Sequence, residues 1–219
     1  MSVRQRLVII GAGGQARELA WILESLNAVE PIYDVLGMIV SDLSKLGEHD
    51  SSSVLGDYGW LEKNIERVDA FALGIGMPAG RLKVAAELKE RFPRVAWPSV
   101  IHPSVVGDRR SLTVEEGVLV SCGVVMTVNI TLRAFSLVNF GATIGHEARL
   151  GRGAVVMPGA NISGGVGLGD GVLVGTGAQV LQYIDVADHA VVGAGAVVTK
   201  PVPAGVTVVG VPARVRAGL

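Results

Sequence analysis

Two places in this chain of 219 residues carry residue types that do chemistry, and both are set among glycines. The first is Gly11-Ala12-Gly13-Gly14-Gln15-Ala16, directly after the apolar run Leu7-Val8-Ile9-Ile10. Backbone N–H groups in such a turn, with a helix dipole behind them, favour a phosphate or pyrophosphate. The turn matches the dinucleotide pattern with Ala16 at the third position. Asp42 is placed to accept bonds from a ribose or a base. It stands about thirty residues after Gly11, later than the roughly twenty expected of the acid that grips NAD. Three readings follow: a tight strand-to-helix connection without ligand, a nicotinamide dinucleotide, or the pyrophosphate of a nucleotide sugar. The second place is Ile144-Gly145-His146-Glu147, an imidazole with a carboxylate next in sequence. Imidazole is matched to proton transfer near neutral pH. Of the other histidines, His189 occupies an ordinary corner in Asp188-His189-Ala190, and His102 stands beside Pro103 where a structural role fits; His49 completes the set.

The elements that must hold these residues are written in two different periods. From Val114 through Val120, Met126 and Leu132 to Val192 and Val198, every sixth residue is apolar without exception. A helix repeats at about 3.6 residues and a strand at about 2, so this series fits neither. It predicts a hexapeptide solenoid, in which short strands meet at corners and three make one triangular coil. About five coils fit between Val114 and Val198. Two places before each large aliphatic stands mostly Ala or Val (Ala142, Ala148, Ala154, Ala160), a small side chain for the tight corner. Gly often follows it, at Gly145, Gly151, Gly169, Gly175 and Gly193, where positive φ is expected. A metal site needs three histidines converging from neighbouring coils, and the solenoid offers only His146 and His189.

Before residue 100 the six-residue period is absent. Leu7 to Ile10 reads as a strand, and Ala16, Leu19, Ala20, Leu23 and Leu26 recur at helical spacing. A second strand fits Val35 to Val40, followed by a loop from Leu43 to the serine run Ser51, Ser52, Ser53. Val68 to Ile75 is a third strand, leading through Gly74 and Gly76 to Pro78 in the first turn of a helix with Leu82, Ala85, Leu88 and Phe92 buried. This is a Rossmann-like βαβ unit with a parallel sheet. Trp97 to Pro103 reads as the junction, giving domains 1–98 and 99–219, the tail from Lys200 onward capping the solenoid.

Composition agrees: hydrophobic residues make up 49% but aromatics only 5%, and 30 glycines suit a chain of many tight corners. A net charge of −1 offers no electrostatic footprint for nucleic acid or an anionic membrane. Cys122 is alone, which excludes an internal disulfide and suits a reducing compartment. Leu7 to Ile10 is too short for a signal-peptide core or a membrane span. A cytoplasmic protein without membrane insertion is expected.

A Gly-rich βαβ unit joined to a hexapeptide solenoid resembles the sugar acetyltransferases grouped with the sialic acid O-acetyltransferases. The resemblance covers essentially the whole chain. It is carried by Gly11-Ala12-Gly13-Gly14, by Asn139-Phe140-Gly141-Ala142-Thr143-Ile144-Gly145-His146-Glu147, by Val192 to Lys200 and by Gly210-Val211-Pro212-Ala213-Arg214. Close relatives N-acetylate UDP- or GDP-bound amino sugars, as in bacillosamine and perosamine synthesis. The resemblance implies a left-handed β-helix, acetyl-CoA as co-substrate with no metal, and a homotrimer with CoA lying between neighbouring prisms. It makes His146 the general base and Glu147 its partner. Gly11, Gly13, Gly14, Ser41 and Asp42 fall where the family grips its nucleotide, with Gly74 and Gly76 at the same mouth. Gly164, Thr176 and Ala194 fall at CoA-lining positions, one above another along the coils, and Lys200 meets a CoA phosphate. Val155 stands where the family often carries a second histidine near the acyl group, so an acyl group larger than acetyl is admitted. O-acetylation of a sugar or sialic acid, and an idle nucleotide-sugar sensor, are the alternatives.

Overall fold

The computed structural model describes residues 4–47 and 53–216. Ser51, Ser52 and His49 therefore lie outside the described residues. The first layer is a parallel sheet of β1 (Gln5–Ile10), β2 (Tyr33–Ile39), β3 (Val54–Gly56) and β4 (Ala70–Leu73), in the order β3-β2-β1-β4. Helices α1 (Gly14–Val29), α2 (Tyr58–Asn64) and α3 (Pro78–Arg91) connect the strands. The helical spacing of Ala16, Leu19 and Leu23 is realised in α1, which buries these side chains with Ile22. Pro78 opens α3 at a position where its missing N–H costs nothing.

The expected loop after β2 holds more structure than the sequence indicated. A single 3-10 turn spans Leu43–Lys45, and β3 and α2 follow. Helix α2 starts where the Asp57 carboxylate accepts from the Gly59 N–H at 2.9 Å. A strand of three residues and a helix of seven are too short for either period to register.

From Val100 the chain winds as a left-handed parallel β-helix with two-residue strands on three faces. The period-six aliphatics all point inward, stacking Val120, Val138, Val156 and Val174 into one core with Ile144, Ile162, Leu150 and Leu168. Between Thr113 and Val198 parallel pairing in steps of eighteen residues joins the coils, as in Thr143 to Asn161 and Leu137 to Val155, whereas Val100 pairs with Leu119 and Val191 with Thr207. The glycines after the inward aliphatics act differently from expectation. Positive φ falls three residues past the aliphatic, at Gly141, Gly153 and Gly159 but also at Asn129, Phe135, Glu147, Tyr183 and His189. Gly145, Gly151, Gly169 and Gly175 are required instead because a Cβ there would overlap the next coil's backbone, and at Gly193 it would overlap Val209.

The outward residues give the three faces different characters. One carries Val100, Leu119, Leu137, Val155 and Leu173, and α1 packs on it through Leu19, Ile22 and Leu23. The next presents Val125, Thr143, Asn161, Gln179 and Val197, without a charge. The third presents Thr131, Arg149, Gly167 and Asp185. The first layer thus sits on the aliphatic face. It also reaches that face's two edges, at Phe140 on one side and Phe135 on the other.

Candidate active site

At the end of β1 the chain turns sharply at Gly11, whose φ is +116° and whose N–H donates to the Ile39 carbonyl at 2.7 Å. A Cβ at Gly11 would lie 2.7 Å from the Gly74 carbonyl oxygen, so glycine is needed for both shape and space. Gly13 caps α1 without a side-chain bond, and no acidic residue stands in the first turn. No carboxylate of the helix's own first turn therefore offsets its positive end. Beside it lies a cavity of about 320 Å³, lined by Gly11, Ala12, Gly13, Ser41 and Asp42, with Leu46, Tyr58, Ile75 and Val84 as its apolar walls. This collects four of the seven residues expected to hold the nucleotide. Gly14, Gly74 and Gly76 are not on its wall. Gly74 is buried behind it, where a Cβ would collide with Ala16 at 2.6 Å, so its role is close strand-to-helix packing. Asp42 accepts from the Ser44 N–H at 3.0 Å and from its hydroxyl at 2.6 Å, which fixes the rim of the cavity. The sequence gives no sign of Tyr58 and Leu46 because their approach depends on the short elements after β2, nor of Val84, which lies on α3 beside the apolar face expected to be buried.

His146 stands on the edge between the uncharged and the charged face, at the corner between the strands Thr143–Ile144 and Arg149–Leu150. Its side chain is half exposed. The ring lies over Gly164 of the next coil, where any Cβ would collide with Nε2. Tyr183 packs in the same manner over Gly165, its ring 6.5 Å from the imidazole in an edge-on arrangement. Glu147 adopts φ of +61°, and its N–H donates to the Val128 carbonyl at 3.0 Å. That corner brings the Glu147 carboxylate 3.8 Å from Nδ1, outside hydrogen-bond distance. Nε2 lies against Gly164 and makes no hydrogen bond among the described residues. His189 lies on a different edge, between the charged and the aliphatic face, and does not converge with His146.

The positions expected to line CoA do not form one column. Thr176 and Ala194 are exposed and stacked on successive coils, at the edge between the aliphatic and uncharged faces. Gly164 belongs instead to the His146 edge, as the floor under the imidazole, and exposed Lys200 follows the last inward residue on that same edge. Val155 is a correction. It has no exposed surface and packs among Leu19, Ile22, Leu23, Leu119 and Leu137. Its outward position lies on the one face that α1 covers, so its side chain meets the first layer of its own chain rather than an acyl group.

A nucleotide-sized cavity at a glycine turn, joined to a β-helix with a half-exposed histidine on its edge, defines a left-handed β-helix acyltransferase. Comparison with solved structures narrows the class. The chain is 30% identical to PerB from Caulobacter crescentus, solved with CoA and GDP-perosamine, over 96% of this chain and 97% of that one, with a TM-score of 0.84. It is 26% identical to the acetyltransferase domain of PglB from Neisseria gonorrhoeae, over 97% and 100%, with a TM-score of 0.85. WeeI from Acinetobacter baumannii is 26% identical over 96% and 99%, with a TM-score of 0.79. No protein-family model matches the chain, and no curated protein sequence matches it. The chain belongs to the hexapeptide-repeat sugar acetyltransferases that are grouped with the sialic acid O-acetyltransferases.

Proposed function

We propose that this enzyme transfers the acetyl group of acetyl-CoA to the amine of a UDP- or GDP-linked amino sugar, in the making of a glycan. The observation that carries the reading is the pairing of the His146 edge with the glycine-turn cavity in one chain. Its support is the similarity to PerB, which was solved with CoA and GDP-perosamine. Residues 1–98 hold the sugar nucleotide, and residues 99–219 carry acyl transfer. The amine nitrogen attacks the thioester carbonyl carbon while His146 Nε2 takes its proton. As the N–C bond forms and the C–S bond breaks, the leaving sulfur receives that proton and CoA departs as the free thiol. Glu147 stabilises the imidazolium in the interval.

The layout calls for more than one copy. The first layer covers the aliphatic face and reaches its edges at Phe140 and Phe135, whereas His146 stands on the remaining edge, so the layer that holds the cavity and the imidazole of the same chain lie on different sides of the prism. The uncharged face separates the His146 edge from the Thr176 and Ala194 edge. A ring of three copies packed through that face sets the His146 edge of one against the Thr176 edge of the next, with CoA between them, and closed symmetry is the usual outcome for oligomers. Among the described residues no helix is long and apolar enough to cross a membrane. We place the enzyme in the cytoplasm, in keeping with the unpaired Cys122.

A thiol-release assay with acetyl-CoA and a panel of UDP- and GDP-amino sugars tests the reading. Release that depends on an amino sugar nucleotide is expected. No release with any member of the panel, or release only with hydroxyl-bearing sugars, contradicts it.

A further inference from the structure

Among the described residues, Arg81 on α3 is the one charged side chain that is buried, with no exposed surface at all. No carboxylate among the described residues meets it. Its Nε donates to the Phe135 carbonyl at 2.8 Å, and its Nη1 to the Ile75 carbonyl at 2.7 Å and, at a longer 3.5 Å, to that of Leu73. Nη2 is buried without a partner. Burial pulls its pKa down to about 9, which still leaves a cation at neutral pH. A cation held only by carbonyls is a costly way to fill a core, since an apolar side chain of similar volume would pack there at less expense.

The carbonyls it joins explain the choice. Phe135 is a corner of the solenoid, with φ of +61° and its ring edge-on to Trp97 at 5.3 Å. Leu73 and Ile75 bracket Gly74 at the exit of β4. That exit supports the glycine turn, because Gly11 rests on the Gly74 carbonyl and Ala16 on its Cα. Ile75 itself lines the nucleotide cavity. A continuous chain of contacts therefore runs from the solenoid corner through Arg81 and the β4 exit to the turn.

We propose that Arg81 is a positioning residue for the sugar-nucleotide site, fixing the wall of that cavity to the β-helix that carries acyl transfer. The assignment rests on the proposed nucleotide role of the cavity. A planar fork can address two separated backbone segments at once, and an ammonium on a flexible stem cannot hold both in register.

Arg81→Lys and Arg81→Met in the full chain test it, by hydrogen exchange without ligand, by calorimetry with UDP and GDP, and by KM for each substrate. Arg81→Lys is expected to fold, with exchange quickened at Gly74 to Met77 and Gly11 to Gln15 and unchanged in the solenoid. Its nucleotide affinity and sugar-nucleotide KM should worsen about tenfold, the scale of a lost bond to a charged group, with the KM for acetyl-CoA unmoved. Arg81→Met should show the same pattern more strongly; if it does not fold, Arg81→Lys decides. Unchanged exchange at both segments, or an equal rise along the solenoid strands, overturns the proposal. A wild-type chain that binds neither nucleotide removes the functional reading instead, and the exchange measurement then decides the coupling by itself.

Discussion

His146 owes its position to a residue with no side chain. The imidazole occupies the space above Gly164 that a Cβ would fill, so Gly164→Ala should push the ring away while leaving the coil intact. The ring is half exposed and free to swing outward, so we expect an unchanged melting temperature and a turnover lowered by roughly tenfold or more, the scale of a misplaced catalytic group. Unchanged turnover would show that the ring works from another rotamer. Glu147→Gln should cost less than loss of His146, because its carboxylate stands 3.8 Å from Nδ1, beyond hydrogen-bond distance; a loss as large would contradict this. Steady-state kinetics read both. His146 and Glu147 were legible in the sequence as an imidazole and an acid in one coil. Gly164, expected at the CoA site, stands one eighteen-residue step from His146 but only twelve residues from Thr176, so the coil length puts it under the imidazole and on another edge from Thr176.

At the scale of elements, the β1–α1 turn and the outward rows of the β-helix decide what each segment can touch. A Cβ at Gly13 meets nothing within 4 Å, and its φ of −69° suits any residue, so Gly13→Val should fold normally. Calorimetry should nonetheless show weakened UDP or GDP binding, because a branched side chain blocks close approach to the helix N-terminus. Wild-type affinity would place the phosphates elsewhere. Val155→His leads to the opposite expectation from a gain in acyl binding. It puts an imidazole among Leu19, Ile22 and Leu23, and should destabilise the chain by about 1–3 kcal/mol in thermal or urea unfolding. An unaltered stability with a tighter acetyl-CoA KM would return Val155 to the acyl site. The inward row of the solenoid was fully legible, since one residue type repeats there. The outward row was not: nothing in the sequence sets Leu137 and Leu173 apart, and Val155 reads as an acyl-site residue, until α1 is seen lying on them. Helix α2 escaped for the simpler reason that its seven residues span less than two full turns of useful periodicity.

Across the whole molecule, three unlike faces divide the labour. The aliphatic face holds the first layer, the charged face carries Arg149 and Asp185, and the proposed ring of copies packs through the uncharged face. Thr143, whose hydroxyl donates to the Asn161 amide oxygen at 2.6 Å, lies near the middle of the uncharged face and is exposed. Thr143→Arg should give a folded chain that sediments as a monomer and has lost most of its turnover, because the site is then missing its second half. A trimer of full activity would refute the assignment of the face. The two-part order of the molecule was legible from the change of period near residue 100. Which prism edge serves which chain was not, because it depends on how the first layer seats on the solenoid. The central claim is that His146 is the base of an acetyl transfer to a nucleotide-linked amino sugar. It is tested most directly by thiol-release turnover of His146→Ala beside wild type, with acetyl-CoA and the best sugar nucleotide of the panel. A fall of roughly a hundredfold or more, with nucleotide binding and melting temperature unchanged, is the predicted result; turnover close to wild type across the neutral range would contradict it.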